Sequence, residues 1–283
     1  YRGGFHDFKI ATGGLVVYPR LIASEHRGSF AQGTVSSGIA ELDELLGGGP
    51  ERGSSTLITG PAGPGKTSIA VNYLLAAVAR GETAAFYSFE EGLATLSARA
   101  RGLGWDLEGA MKTGRLVIEF VNPAELSPGE FAHDVQRAVD EKGARVVVID
   151  SLNGYLNAMP EERHLSLHLQ QLLSYLNQRG VATLMVVTQH GFLGAGMQAP
   201  VDLSYLADAV LVLRYFEHEG ELSVAVSVLK KRSGPHERTI RAMTMTAEGI
   251  RLGPPLRDFH GILTGVPTRI APQGTPGRHD ARG

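Results

Sequence analysis

Residues Gly60 to Thr67 read GPAGPGKT, which satisfies the pattern G-x-x-x-x-G-K-[ST]. From the chain's own residue frequencies, that pattern arises by chance in roughly one such chain in a hundred. Its setting narrows the choice. STLITG supplies a strand directly before it and TSIAVNYLLAAVAR an apolar-periodic helix directly after, the order that turns successive backbone N–H groups and a helix N-terminus toward a phosphate. An ordinary Gly-rich turn is the alternative. On the phosphate reading, Gly60, Pro61, Ala62, Gly63, Pro64, Gly65, Lys66, Thr67 and Ser68 form the cradle. Lys66 then reaches the β and γ phosphates, and Thr67 ligates Mg2+.

Around the loop, β-branched runs alternate with amphipathic segments. Strands are expected at 55–59, 84–89, 115–120, 145–150 and 181–188, and helices at 67–80, 91–103, 129–141 and 161–179. This predicts an α/β fold, a mostly parallel central sheet flanked by helices on both faces. After Thr188 the pattern changes. The runs 208–216, 222–229 and 238–245 are strand-like and joined by short turns such as HEGE at 218–221, so antiparallel hairpin strands are expected on the C-terminal side. Trp105 and the apolar positions at Leu152 and Leu156 are expected in the core.

An internal echo bears on domain organisation. Residues 2–10 read RGGFHDFKI and residues 232–240 read RSGPHERTI, sharing Arg, Gly, His, an acid and Ile at the same offsets. Each is followed by a glycine turn, a strand-like run and a proline, GGLVVYP from Gly13 and EGIRLGP from Glu248. Coincidence in a chain with 36 glycines is the alternative, but the shared follow-on exceeds what composition supplies. The expected organisation is residues 1–27 as the remnant of a preceding homologous domain plus linker, 28–255 as the nucleotide-binding domain, and 256–283 as a partly disordered tail.

Composition enters through what it excludes. With 27 basic and 29 acidic residues the net charge is −2, so no global positive field draws the chain to nucleic acid or anionic lipid. No stretch approaches 18 uncharged apolar residues and no secretory signal opens the chain, so a cytoplasmic protein without membrane contact is expected. The absence of cysteine removes disulfides, thiolate zinc sites and cysteine nucleophiles together.

Three further stretches carry candidate chemistry. VVVID at 146–150 is an apolar strand ending in a carboxylate, from which Asp150 holds a magnesium shell; a helix-capping acid beside Ser151 is the alternative. FYSFEEG places Glu90 and Glu91 at a strand-to-helix turn, Glu90 as general base and Glu91 as helper or cap, unless the pair only favours the helix N-terminus. Thr188-Gln189-His190 closes another strand at the same edge, as a γ-phosphate sensor or a plain loop start. His164 and His168 stand four apart, but without the zincin glutamate or a third ligand they are read as surface or packing residues.

With these residues placed, the chain resembles the RecA-like ATPases, and within them the KaiC group. SGIAELDELLGGGPERGSSTLITGPAGPGKTS, the acid pair in SFEE, the VIDSL strand and LKKRSGPHERTIR carry the likeness, from about Val35 to Arg269. The resemblance implies a RecA-like fold, ATP and Mg2+ as ligands, and a homohexameric ring with ATP at each subunit junction. It also implies Glu90 as catalytic glutamate and Lys230 and Arg232 as the Lys-x-Arg that reaches a neighbour's γ-phosphate. A cation supplied in trans makes hydrolysis depend on assembly and is worth ~10³–10⁵ in rate, although KKR is also what a solvated strand end looks like. His236 is expected to orient a turn or contact nucleotide. The resemblance raises serine autokinase activity too, at Ser204 in VDLSYLADAVLVL, where the family's adjacent threonine is replaced by Tyr205.

Competing readings are a RadA-like nucleic-acid-handling ATPase and a slow, nucleotide-gated scaffold that signals to protein partners through its tail. GFLGAGMQAPVD at 191–202 has no Lys or Arg, which disfavours nucleic acid, since a phosphate-tracking loop needs cations.

Overall fold

The computed structural model describes residues 6–26, 28–122, 125–157, 165–189, 204–263 and 267–269. In chain order, β1 (Asp7–Ala11) and β2 (Gly14–Tyr18) form a hairpin, followed by α1 (Ala40–Leu45), β3 (Ser55–Gly60), α2 (Lys66–Ala79), β4 (Thr83–Ser88), α3 (Leu93–Gly102) and α4 (Leu107–Lys112). Then come β5 (Leu116–Phe120), α5 (Pro128–Asp140), β6 (Ala144–Asp150), α6 (Leu152–Asn157), α7 (Leu165–Gln178) and β7 (Ala182–Thr188). The antiparallel series β8 (Ala209–His218), β9 (Glu221–Lys231), β10 (Arg241–Thr246) and β11 (Gly249–Pro255) follows.

Among the described residues, nine strands make one sheet in the order β11-β10-β9-β8-β3-β7-β6-β4-β5. From β8 through β5 neighbouring strands run parallel, and β9 to β11 extend the β8 edge by hairpins. This is the α/β architecture that the alternation of runs predicts, and the RecA-like fold that the resemblance implies.

Strand periodicity divides the core in two. Along β6, Val146 and Val148 pack with α1 to α4, whereas Val147 and Ile149 pack with α5 to α7. A strand buried on both faces reads as a continuous apolar run, and VVVI is that signature. Leu152 is buried and Leu156 packs against the α5–α7 layer, while Trp105 is only half-buried beside the other.

Local chemistry sets the boundaries. The helix expected over 91–103 is α3, whereas α4 has no counterpart among the expected elements; it begins where the Asp106 carboxylate accepts from Gly109 N at 2.7 Å and caps a new helix. The strand expected from Arg238 starts only at Arg241, since Glu237 N donates to Leu45 O at 3.0 Å and holds the preceding segment over α1. The predicted start of the 161–179 helix falls outside the described residues.

An antiparallel hairpin lies at or after each half of the sequence echo, β1–β2 beginning inside residues 2–10 and β10–β11 only after residue 240, each closed by a glycine pair partner, Ala11 with Gly14 and Thr246 with Gly249. The first hairpin docks on α5. Ser127 Oγ caps α5 by accepting from Glu130 N at 3.2 Å, and the buried Glu130 carboxylate accepts from Tyr18 Oη at 2.7 Å and from Lys9.

The sheet order decides where a ligand can sit. β3 and β4 are consecutive in sequence, but β7 and β6 lie between them. Chain excursions therefore part above the C-terminal ends of β3, β7, β6 and β4, leaving a crevice of the kind open α/β sheets use for ligands.

Candidate functional site

A cleft of about 500 Å³ opens at that crevice, lined on one side by Ala62, Gly63, Gly65, Lys66, Thr67 and Ser68. Glu90, Asp150, Val186 and Thr188 line it from the ends of β4, β6 and β7, and Arg99, Leu103 and Met245 close it from α3 and β10. Four separated sequence stretches thus deliver the residues expected to act together.

The loop is built for close approach. Gly65 starts α2 at φ 101°, and a Cβ there would lie 2.6 Å from Met245 Sδ. Gly63 has φ 91°, and a Cβ there would lie 2.7 Å from Tyr215 Oη, which donates to Ala62 O at 3.2 Å. Side chains are excluded on both counts. No side chain caps α2, which leaves the orphan amides of its first turn for an anion. Pro61 and Pro64 are buried, Ala62 is exposed, and Gln189 N donates to Gly60 O at 2.9 Å to tie β3 to β7.

Electrostatics mark the same place. Lys66 is buried and its ammonium donates to Pro61 O within the loop. Burial lowers its pKa to about 8, against the pull of Asp150 and Glu90. Burial also raises the Asp150 carboxyl to about 6; Glu90 pushes the same way, while the Thr67 hydroxyl, Lys66 and Arg99 oppose. A buried acid and a buried base, each displaced toward neutrality, are what a site designed for charged ligands looks like without them.

Glu90 is exposed at the end of β4 and its carboxylate accepts from Ser151 Oγ. Ser151 also accepts from Gly154 N at 3.3 Å, so the capping alternative considered for this turn belongs to Ser151. Glu91 points elsewhere: its carboxylate pairs with Arg99 at 2.7 Å. Thr188 is fixed by Asn153, whose amide donates to Thr188 O at 2.9 Å and accepts from Thr188 N at 2.8 Å. His190 and His164 lie outside the described residues, and His168 is half-buried on α7.

Lys230, Arg232 and His236 do not line this chain's own cleft. Lys230 Nζ donates to Ser204 O at 2.8 Å and Ala207 O at 2.9 Å. Arg232 donates to Tyr205 O at 2.8 Å and pairs with Asp208 at 3.3 Å, with its side chain half exposed. Ser204 therefore sits in the turn that both basic residues hold. His236 is half-buried in the segment over α1.

Sequence reasoning missed Arg99, Tyr215, Met245 and Asn153. Arg99 had a signal. Leu96 and Ala100 on α3, with Leu103 at its C-cap, make one apolar stripe at helical spacing, and Arg99 borders that stripe rather than standing on the opposite face. Tyr215 and Met245 reach the loop through strands distant in sequence, which no local pattern reveals.

Two comparisons with known proteins bear on this arrangement. The family model described as "ATPase: KaiC" matches residues 35–257. The circadian clock oscillator protein KaiC of Picosynechococcus sp. is 29% identical over 268 residues, 95% of this chain and 52% of that protein. That of Thermostichus vulcanus is 30% identical over 237 residues, 84% of this chain and 46% of the relative. That of Synechococcus elongatus is 28% identical, with 94% and 51% covered. The chain spans about half the length of the curated relatives it matches.

Proposed function

The chain belongs to the KaiC family of ATPases, and from that premise we propose that it binds Mg-ATP on the Gly60–Ser68 loop and hydrolyses it between identical copies arranged as a ring. The observation that carries the reading is the convergence of Lys66, Thr67, Glu90, Asp150 and Thr188 on one cleft at the C-terminal edge of the sheet.

In this reading the amides from Gly63 to Ser68 and the Lys66 ammonium hold the β and γ phosphates. Thr67 and Asp150 fit a magnesium ion: both line the cleft, the Thr67 hydroxyl favours the ionised Asp150 carboxylate, they offer hard oxygen donors, and Mg2+ takes one or two carboxylates plus phosphate oxygens. Among the described residues no group of three or more His, Cys, Asp or Glu forms a metal cage, which agrees with an ion completed by its nucleotide. When bound, that ion neutralises charge on the transferring phosphoryl group. Glu90, held in place by Ser151, takes the proton of the attacking water, while the Glu91 carboxylate is engaged with Arg99. Leu103 and Met245 offer the cleft an apolar wall for the base.

Arg232 and Lys230 serve a neighbour's site, since they stand away from their own; exchange of Arg232 from Asp208 to a neighbouring γ-phosphate links hydrolysis to assembly into a six-membered ring. Ser204, in the turn those residues hold, is the candidate acceptor for autophosphorylation. We further read His236 as orienting the 232–240 segment. Residues 28–255 are taken as the ATPase domain and residues 1–27 as the close of a preceding like domain, on the strength of the sequence echo between 2–10 and 232–240. The tail from 256 is read as a contact for protein partners. Among the described residues no helix is long and apolar enough to cross a membrane, and we place the protein in the cytoplasm.

The deciding experiment measures phosphate release with ATP in Mg2+ and in excess chelator, alongside mass spectrometry of the incubated protein. Turnover that requires Mg2+ and disappears in Lys66→Ala supports the reading; magnesium-independent turnover, or none with the fold intact, overturns it. A phosphoserine lost in Ser204→Ala supports the autokinase step, and its absence leaves hydrolysis alone.

A further inference from the structure

The cleft holds two cations, Lys66 and Arg99, and the reading above uses only the first. Arg99 rises from the last turn of α3, beside the buried Leu96 and Ala100, with its side chain partly exposed. Its Nη2 is committed to Glu91 Oε1 at 2.7 Å. Its Nη1 is shielded from solvent and has no hydrogen-bond partner among the described residues. A guanidinium brings five N–H donors in a fixed fork, and this one commits a single nitrogen, Nη2, to Glu91. Glu91 is immediately next to Glu90 in sequence, and both begin the turn from β4 into α3. The result is a cation at the edge of a polyanion site, restrained by a single carboxylate, with a donor to spare.

The geometry points to Arg99 as a phosphate-binding arginine supplied in cis, parked on Glu91 when the cleft is empty and turned onto a phosphate oxygen when the nucleotide enters. This rests on the nucleotide reading of the site. The physical argument is one of matching. A magnesium-bound triphosphate keeps about two negative charges, and Lys66 answers one of them. A planar fork answers the second in bidentate fashion, which a lysine cannot. The shielded Nη1 gains a partner in the exchange, and the Glu91 carboxylate, half-buried but within reach of water, is left solvated. Glu91 is thereby the keeper of Arg99, a positioning role distinct from that of Glu90.

The test is equilibrium binding of the Mg2+ complex of β,γ-imido-ATP, a non-hydrolysable analogue, to the whole chain and to Arg99→Gln, Arg99→Lys and Glu91→Gln, each checked for an unchanged thermal midpoint. Loss of a charge-assisted contact predicts roughly tenfold or more weakening in Arg99→Gln, a smaller loss in Arg99→Lys, and binding at least as tight as the parent in Glu91→Gln. Binding by Arg99→Gln within twofold of the parent overturns the proposal. So does equal weakening in Glu91→Gln and Arg99→Gln, which marks the ion pair as a structural unit. If Arg99→Gln fails to fold, the lysine variant and Glu91→Gln decide alone: no loss in the former or a matching loss in the latter overturns it. A parent chain that does not bind the analogue removes the nucleotide reading itself, a result separable from either outcome above.

Discussion

The hydroxyl of Ser151 donates to the carboxylate of Glu90, joining the C-terminal ends of β6 and β4 across the candidate site. The bond sets where the proposed general base points. It also explains why Glu90, though exposed, has one defined partner while the adjacent Glu91 turns toward Arg99. Glu90→Gln is expected to lower kcat by ~10²–10⁴ with Mg-ATP affinity nearly unchanged. Ser151→Ala, which frees the carboxylate without removing it, is expected to cost far less, on the order of tenfold. Steady-state phosphate release gives both numbers, and a Ser151→Ala loss equal to that of Glu90→Gln refutes the division of roles.

Lys66 carries a buried charge whose only hydrogen bond among the described residues is to Pro61 O. Removing a desolvated ammonium relieves the fold and ruins the site. Lys66→Met should therefore weaken Mg-ATP binding roughly 100-fold while raising the nucleotide-free melting temperature. Each kcal/mol recovered is ~2–4 °C for a chain of this size. Calorimetry and a thermal melt on the same sample check the pair of signs, and a lowered midpoint sinks the argument.

The pH dependence follows from the two displaced groups. Binding needs Asp150 ionised and Lys66 protonated. In the free protein the first is lost as pH falls through about 6, and the second as pH rises through about 8. Mg-ATP affinity is thus expected to be flat between those values and to fall up to tenfold per pH unit on either side. In Asp150→Asn the acid limb should vanish while the alkaline limb stays, although overall affinity drops. Titration calorimetry between pH 5 and 9 reads it directly.

Arg232 is expected to act on a neighbouring copy. Arg232→Ala should reduce kcat by ~10³ or more. Mixing it with Lys66→Ala, itself inactive, should restore part of the rate, because some junctions then pair an intact loop with an intact arginine. Mixed subunits as inactive as either alone would place Arg232 in its own site and defeat the in-trans reading.

Gly63 and Tyr215 make a size-exclusion pair. Gly63→Ala sets a methyl 2.7 Å from Tyr215 Oη and strains a backbone at φ 91°, so nucleotide affinity should fall at least tenfold. Tyr215→Phe alone costs about 0.5–1.5 kcal/mol through the bond to Ala62 O. In the double variant the phenyl ring leaves room for the methyl, and the combined loss should be smaller than the sum. Additivity instead shows that strain, not contact, governs the position.

What the sequence determined by itself is local. GPAGPGKT between a strand and a helix, the apolar strand ending in Asp150 and the acid pair after FYSF each carry their chemistry within a few residues, because phosphate cradles and strand-end carboxylates are made from contiguous backbone. The 3.6- and 2-residue periods located most of the elements for the same reason. A short helix was less legible where a single side chain starts it, as Asp106 does for α4. Only the tertiary structure placed Glu90, Asp150, Lys66 and Thr188 around one cleft, since that depends on β7 and β6 inserting between β3 and β4. It alone brought Tyr215 and Met245 against the loop, turned Glu91 toward Arg99, and showed Lys230 and Arg232 holding the Ser204 turn away from their own cleft. Short-range patterns record what neighbouring residues do together; contacts made through sheet order leave no trace in spacing.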